Sequence, residues 1–124
     1  MTDAPKNSVE LVSSDCEPCH SDTPALGPEE IAELAALLPD WQLVERDGMS
    51  ILSRKYRFKN FQQSLAFART VGDLAERANH HPAILIEWGS ARVEWWTHKI
   101  KGLHRNDFIL AARTERLYGE REEH

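Results

Sequence analysis

The sequence has no apolar run approaching the length that crosses a bilayer, which takes on the order of 18–20 residues. Its first residues are polar and acidic, without the apolar stretch of a secretory signal. Neither a membrane span nor export is expected, and cytoplasmic residence is. A basic excess is missing too. The formal net charge is −5, and residues 1–30 hold seven acids against a single lysine, so the rest of the chain is nearly neutral. An acidic arm on a neutral body lacks the positive field that sequence-independent nucleic-acid binding requires. No nucleic-acid partner is expected.

Cysteine is scarce. Both cysteines fall in Cys16-Glu17-Pro18-Cys19-His20, whose spacing matches a c-type haem attachment site. Covalent haem belongs to exported compartments, and an export signal is lacking. As a zinc site the motif supplies at most three ligands, and as a redox pair it lacks a βαβ setting. The surrounding residues 1–25 are rich in Ser, Asp and Pro without helical or strand periodicity, so they read as a flexible acidic arm. A chain beginning near Ala25 is expected to fold and function.

What remains, residues 26–124, has the composition of one soluble domain with one modest core: 41% of the whole chain is hydrophobic and 28% charged. Gly27-Pro28-Glu29-Glu30 opens a short helix whose stripe is Ile31, Leu34, Ala35 and Leu38. Pro39-Asp40 stops it. Trp41 to Arg46 reads as a strand, Asp47-Gly48 as a hairpin turn, and Met49 to Phe58 as the returning strand, with Leu52, Tyr56 and Phe58 on its core side. Asn60 and Gln63 form a capping pair for a long helix. Its stripe runs Phe61, Leu65, Ala68, Val71, Ala75 and Ala78, with Phe67 and Leu74 beside it. That helix ends at Asn79 and delivers His80 and His81 from its C-terminus. The last helix starts near Asn106, a candidate N-cap, with Asp107 in its first turn and Phe108, Ile109, Ala112 and Leu117 as apolar contacts.

Between the last two helices lies a second hairpin, Ala83–Trp88 and Ala91–Thr97, around the two-residue turn Gly89-Ser90. With Trp88 opposite Ala91, Ile86 faces Val93, Ile84 faces Trp95, and His81 faces His98. Ile84, Ile86, Trp88, Val93 and Trp95 then share one face that needs a cover. His81, Ala83, Leu85, Glu87, Arg92, Glu94, Trp96 and His98 share the other. His80, His81 and His98 therefore converge on one hairpin end, with Glu76 one helical turn before His80. Imidazoles titrate near neutrality, so such a group can both remove and deliver protons.

The element order is α-β-β-α-β-β-α. It predicts an α+β two-layer fold, a four-stranded antiparallel sheet with three helices on one face. An apolar patch of Leu85 and Trp96 on the opposite face calls for a ligand or a second chain.

The run Glu76-Arg77-Ala78-Asn79-His80-His81-Pro82, then Trp95-Trp96-Thr97-His98, then Gly102-Leu103-His104-Arg105-Asn106-Asp107 resembles the signature of the pterin-4a-carbinolamine dehydratases. The resemblance extends from about Leu26 to Tyr118. It implies the same two-layer fold and self-association into homodimers or homotetramers. It also implies dehydration of a 4a-hydroxytetrahydropterin such as 4a-hydroxytetrahydrobiopterin to the quinonoid dihydropterin. That step needs no metal or redox cofactor and would belong to tetrahydrobiopterin recycling, linked to an aromatic amino acid hydroxylase. In this resemblance His80 and His98 are the acid–base pair and His81 holds substrate. Trp41, Glu76, Asn79, Pro82, Thr97 and Asp107 are the remaining expected substrate contacts. Where many members carry a basic residue just before the Asp, this chain has Asn106. Alternatives of the same fold are an enzyme for a molybdopterin-like pterin and a non-enzymatic dimerisation or transcriptional coregulator module. A zinc site on the three histidines is disfavoured because neighbours on a strand point to opposite faces.

Overall fold

The structure, a computed structural model, describes residues 7–16 and 24–120. Its elements are α1 (Ser8–Ser13), α2 (Pro28–Ala35), β1 (Gln42–Arg46), β2 (Met49–Arg57), α3 (Phe61–Ala78), β3 (Ala83–Glu87), β4 (Ser90–Trp95), a 3-10 turn (His98–Ile100) and α4 (Arg105–Glu120). The four strands form one antiparallel sheet in the order β1-β2-β4-β3. Each hairpin pairs within itself, and β2 joins β4 to unite them. The fold is the expected α+β arrangement, with one helix more than the sequence suggested. No helix among the described residues is long and apolar enough to cross a membrane.

The core forms where α2, α3 and α4 meet one face of the sheet. Leu52 and Tyr56 of β2 and Ala91, Val93 and Trp95 of β4 are buried against Val71, Leu74, Phe108 and Ile109. Asp47 and Gly48 both take positive φ (54° and 78°), the type I′ turn that suits a right-twisted hairpin. On α3 the buried row is Ser64, Phe67, Ala68, Val71, Leu74 and Ala75. The expected stripe is thus rotated slightly, leaving Phe61 and Leu65 about half exposed at 46% and 49%.

The second hairpin corrects the predicted register. Ser90 pairs with Glu87 in β3 and with Arg57 in β2, so the two-residue turn is Trp88-Gly89 rather than Gly89-Ser90. Ile86 faces Ala91 and Ile84 faces Val93. The cause lies in β2: Phe58 N–H donates to Gly89 O at 2.8 Å, and a Cβ on Gly89 would lie 3.3 Å from Phe58 O. This glycine answers a close backbone approach rather than a positive φ. Because the slip is two residues, side-chain faces are preserved. Only Trp88 leaves its expected face, sitting in the turn at 70% exposure.

The arm is the larger correction. Residues 8–13 form α1, capped by Asn7, whose Oδ1 accepts the Glu10 N–H at 2.9 Å. Leu11 is fully buried in the core cluster, and Val12 and Cys16 pack against it. Arg113 of α4 donates from Nε to Val12 O at 3.1 Å and from Nη2 to Ser14 O at 2.6 Å, tying down the last carbonyls of α1. Val9, Leu11 and Val12 form a patch too short to give a periodic signal, which is why the sequence reads as flexible there. Apart from Cys16, the Cys16-Glu17-Pro18-Cys19-His20 motif lies outside the described residues. The Cys16 thiol is half-buried, and burial pushes its pKa up.

Candidate active site

Helix α3 ends in a left-handed residue. Asn79 has φ 53° and ψ 42°, its N–H donates to Glu76 O, and the His80 N–H reaches back to Ala75 O at 3.1 Å. This is the Schellman pattern, in which asparagine tolerates the left-handed conformation better than most residues. It turns the chain sharply, and Pro82 follows, which cannot continue a helix. His80 and His81 thus leave the helix in different directions.

His80 turns inward. Its Nε2 lies 2.6 Å from Asp107 Oδ1, and its ring stacks on the Trp95 indole with centroids 5.8 Å apart and planes 10° apart. Asp107 is fully buried. Its other oxygen, Oδ2, accepts Thr97 Oγ1–H at 2.7 Å and the His104 backbone N–H at 2.9 Å. A carboxylate with three donors from three segments is well satisfied in a site closed to water. Where the Asp107 carboxylate accepts this bond, His80 Nε2 is the donor and a neutral ring presents Nδ1 as a lone pair. Trp95 is itself fixed, donating from Nε1 to Thr114 Oγ1 at 3.1 Å.

His81 turns outward and pairs through Nε2 with Glu76 Oε2 at 2.5 Å, both side chains being mostly exposed. Glu76 therefore orients His81, not His80. His98 opens the 3-10 turn, which is closed at its base by Thr97 N–H to Gly102 O at 2.9 Å, with Lys101 left-handed at φ 52°. It is exposed, and its ring meets Trp96 at 4.5 Å between centroids.

The sequence-derived register made His81 the direct neighbour of His98. The observed register, continued past the end of the ladder, sets His80 opposite Thr97 instead, and both side chains bond Asp107. Glu76, Asn79, His80, His81, Pro82, Thr97, His98 and Asp107 all fall where α3 hands over to β3 and β4 hands over to α4. Trp41 does not join them. It is buried in the core, edge-on to Tyr56 at 6.2 Å, and donates from Nε1 to Glu115 Oε1 at 2.8 Å. That carboxylate also accepts Tyr56 O–H at 2.8 Å and the Arg54 guanidinium. Trp41 lines an open cavity of about 570 Å³ between α1, the α2–β1 connection and the middle of α4, two turns beyond Asp107. Asn106 is not the N-cap of α4; His104 occupies that position. Its signal lay three residues before Asp107, but histidine is not a residue that marks a helix start.

Among the described residues no group of three or more His, Cys, Asp and Glu side chains is arranged to hold a metal ion. On the sheet face away from the helices, Glu94 accepts from Arg46 Nη1 and Nη2, at 2.8 and 3.1 Å, and from Ser53 Oγ at 3.0 Å. The Arg46 hydrogen bonds, then Ser53, hold its carboxyl below the usual range.

Solved structures that this chain resembles include the following two. One is a transcriptional coactivator/pterin dehydratase from Brucella melitensis, 26% identical, with a TM-score of 0.69 over 77% of this chain and 99% of that one. The other, a pterin dehydratase-like protein described as a RuBisCO assembly factor in the alpha-carboxysome, is 20% identical. It matches in fold with a TM-score of 0.55 over 66% of this chain and 93% of its own. The model of the pterin 4 alpha carbinolamine dehydratase family matches residues 24–117. That span holds every strand, the whole histidine constellation and all but the last turn of α4, and the chain belongs to this family.

Proposed function

We propose that the protein dehydrates a 4a-hydroxytetrahydropterin, such as 4a-hydroxytetrahydrobiopterin, to the quinonoid dihydropterin and water. The observation that carries this reading is the inward-turned His80, oriented by a buried carboxylate and stacked on a buried indole. The reaction removes the N5 proton, and the N5 electron pair forms the C4a=N5 bond as the C4a–O bond breaks. A second proton converts the departing hydroxide to water. One acceptor and one donor of protons suffice, and no electrons are exchanged with the protein.

His80 with a proton fixed on Nε2 offers Nδ1 as the acceptor, and exposed His98 across the same end of the sheet serves as its partner. His81, held by Glu76, binds the pterin. Each general acid or base contributes on the order of 10²–10⁴-fold, enough for a reaction that already proceeds slowly in water. Exposed Phe61 and Leu65 along the outer row of α3 support self-association, which sedimentation would read directly.

The test is stopped-flow loss of chemically generated 4a-hydroxytetrahydropterin with and without purified protein. Acceleration is expected without added metal. A rate equal to the uncatalysed one would favour the module without enzymatic activity, and activity only on a molybdopterin-like pterin would favour that alternative.

A further inference from the structure

Helix α4 starts behind an imidazole. His104 is buried, its Nδ1 accepts the Asn106 backbone N–H at 3.0 Å, and its own backbone N–H donates to Asp107 Oδ2 at 2.9 Å. These bonds have the reciprocal form of a capping box: the N-cap side chain serves an amide of the first turn, and the third helical residue serves the N-cap amide. The usual residues there are Ser, Thr, Asp and Asn. A backbone N–H can only donate, so the bond requires the lone pair on Nδ1 and leaves the proton of the neutral ring on Nε2.

We propose that His104 is a positioning residue for the Asp107–His80 pair, holding the first turn of α4 in place only while its Nδ1 is unprotonated. The inference rests on reading His80 as the proton-transfer group. Asp107 is the third residue of α4, so its carboxylate reaches His80 and Thr97 from a turn whose geometry the cap secures. Protonating the ring replaces the acceptor by a donor facing the Asn106 N–H. It also adds positive charge at the positive end of the helix, which the dipole disfavours. The titratable groups tied to this turn are Asp107, which accepts the His104 backbone N–H, and His80, which pairs with the other Asp107 oxygen. The Cys16 thiol of the arm also feels the Asp107 charge.

The experiment compares full-length wild type, His104→Ala and His104→Ser in the dehydration assay across roughly pH 5–9. Nitrogen-15 NMR of histidine and backbone amides accompanies it. His104→Ala should lower kcat by about 2- to 30-fold, the range that loss of an N-cap spans, with KM little changed. His104→Ser, whose hydroxyl caps without titrating, should restore kcat at neutral pH and remove one limb from the acid side of the profile. In the wild type, the Asn106 amide and the His80 ring nitrogens should shift with the His104 midpoint. Unchanged kcat in His104→Ala overturns the proposal. So does a His104→Ser variant as impaired as His104→Ala, which would give the ring a role other than capping. If His104→Ala does not fold, the His104→Ser profile and the wild-type titration decide. If the wild type lacks dehydratase activity, the functional reading fails, and the capping assignment is judged by the titration alone, where an indifferent His80 rejects it.

Discussion

Replacing Leu11 by Ala tests whether the N-terminal arm is part of the folded body. Leu11 is fully buried and belongs to the same core cluster as Phe108, Ile109 and Ala112 of α4. Leaving a cavity at such a site costs about 2–5 kcal/mol. Here the cost has a ceiling, because α1 can detach instead of enclosing a void, and the loss then equals its docking free energy. That docking consists of one buried leucine, about 1.5–3 kcal/mol, some packing of Val12, and the two hydrogen bonds from Arg113. The expected loss is therefore at the lower end, about 2 kcal/mol. For a chain of this size that corresponds to a Tm lower by roughly 5–10 °C. Val9, on the same helix but 75% exposed, is the control, and Val9→Ala should stay within about 0.5 kcal/mol of the parent. Thermal unfolding followed by circular dichroism, with limited proteolysis of the arm, reads both. A Leu11→Ala protein melting within a degree of the parent, its arm no more open to protease, would refute the docked arm. A chain beginning near Ala25 should share the Leu11→Ala loss in Tm while keeping its turnover, because the histidine constellation lies wholly within residues 76–107.

The histidines should divide by role: His80→Ala and His98→Ala lower kcat with little change in KM, and His81→Ala raises KM with a smaller loss of rate. Steady-state kinetics with His81→Ala losing turnover and His80→Ala keeping it would reverse the assignment. Glu94 has a depressed folded-state pKa, so its contribution to stability is complete above the ordinary carboxylate range, near pH 4.5, and disappears as pH falls through the lower folded value. Melting temperatures measured from neutral to acidic pH should drop less steeply for Glu94→Gln than for the parent; parallel curves would count against the Arg46–Glu94 pair. Burial and then the Glu115 carboxylate push the Tyr56 phenol far up, so its contribution is complete below the ordinary tyrosine value, near pH 10, and is lost as pH rises beyond it. Tyr56→Phe should flatten that alkaline decline in Tm, and an unaltered slope would place the loss elsewhere.

Hairpin chemistry, capping pairs and strand alternation are local, and they were legible in the chain itself. Asp47-Gly48 dictates a type I′ turn, Asn60 caps its helix through Gln63 N–H at 2.9 Å, and the alternation of Ile84, Ile86, Val93 and Trp95 sets which face is buried. From these the α+β order and the meeting place of the histidines follow. Contacts between distant segments decided the rest. The turn of the second hairpin moved back one residue because β2 recruits Ser90 and needs a bare Gly89 against Phe58, a demand from outside the hairpin. Which histidine faces inward was settled by a left-handed Asn79 and a buried Asp107 arriving from 27 residues downstream. The docking of α1 depends on a single leucine and on carbonyls held by Arg113, about a hundred residues away, and neither leaves a periodic trace in sequence. Local rules act through neighbours along the chain, so sequence carries them; register, inward orientation and docking depend on partners that only the folded chain brings within reach.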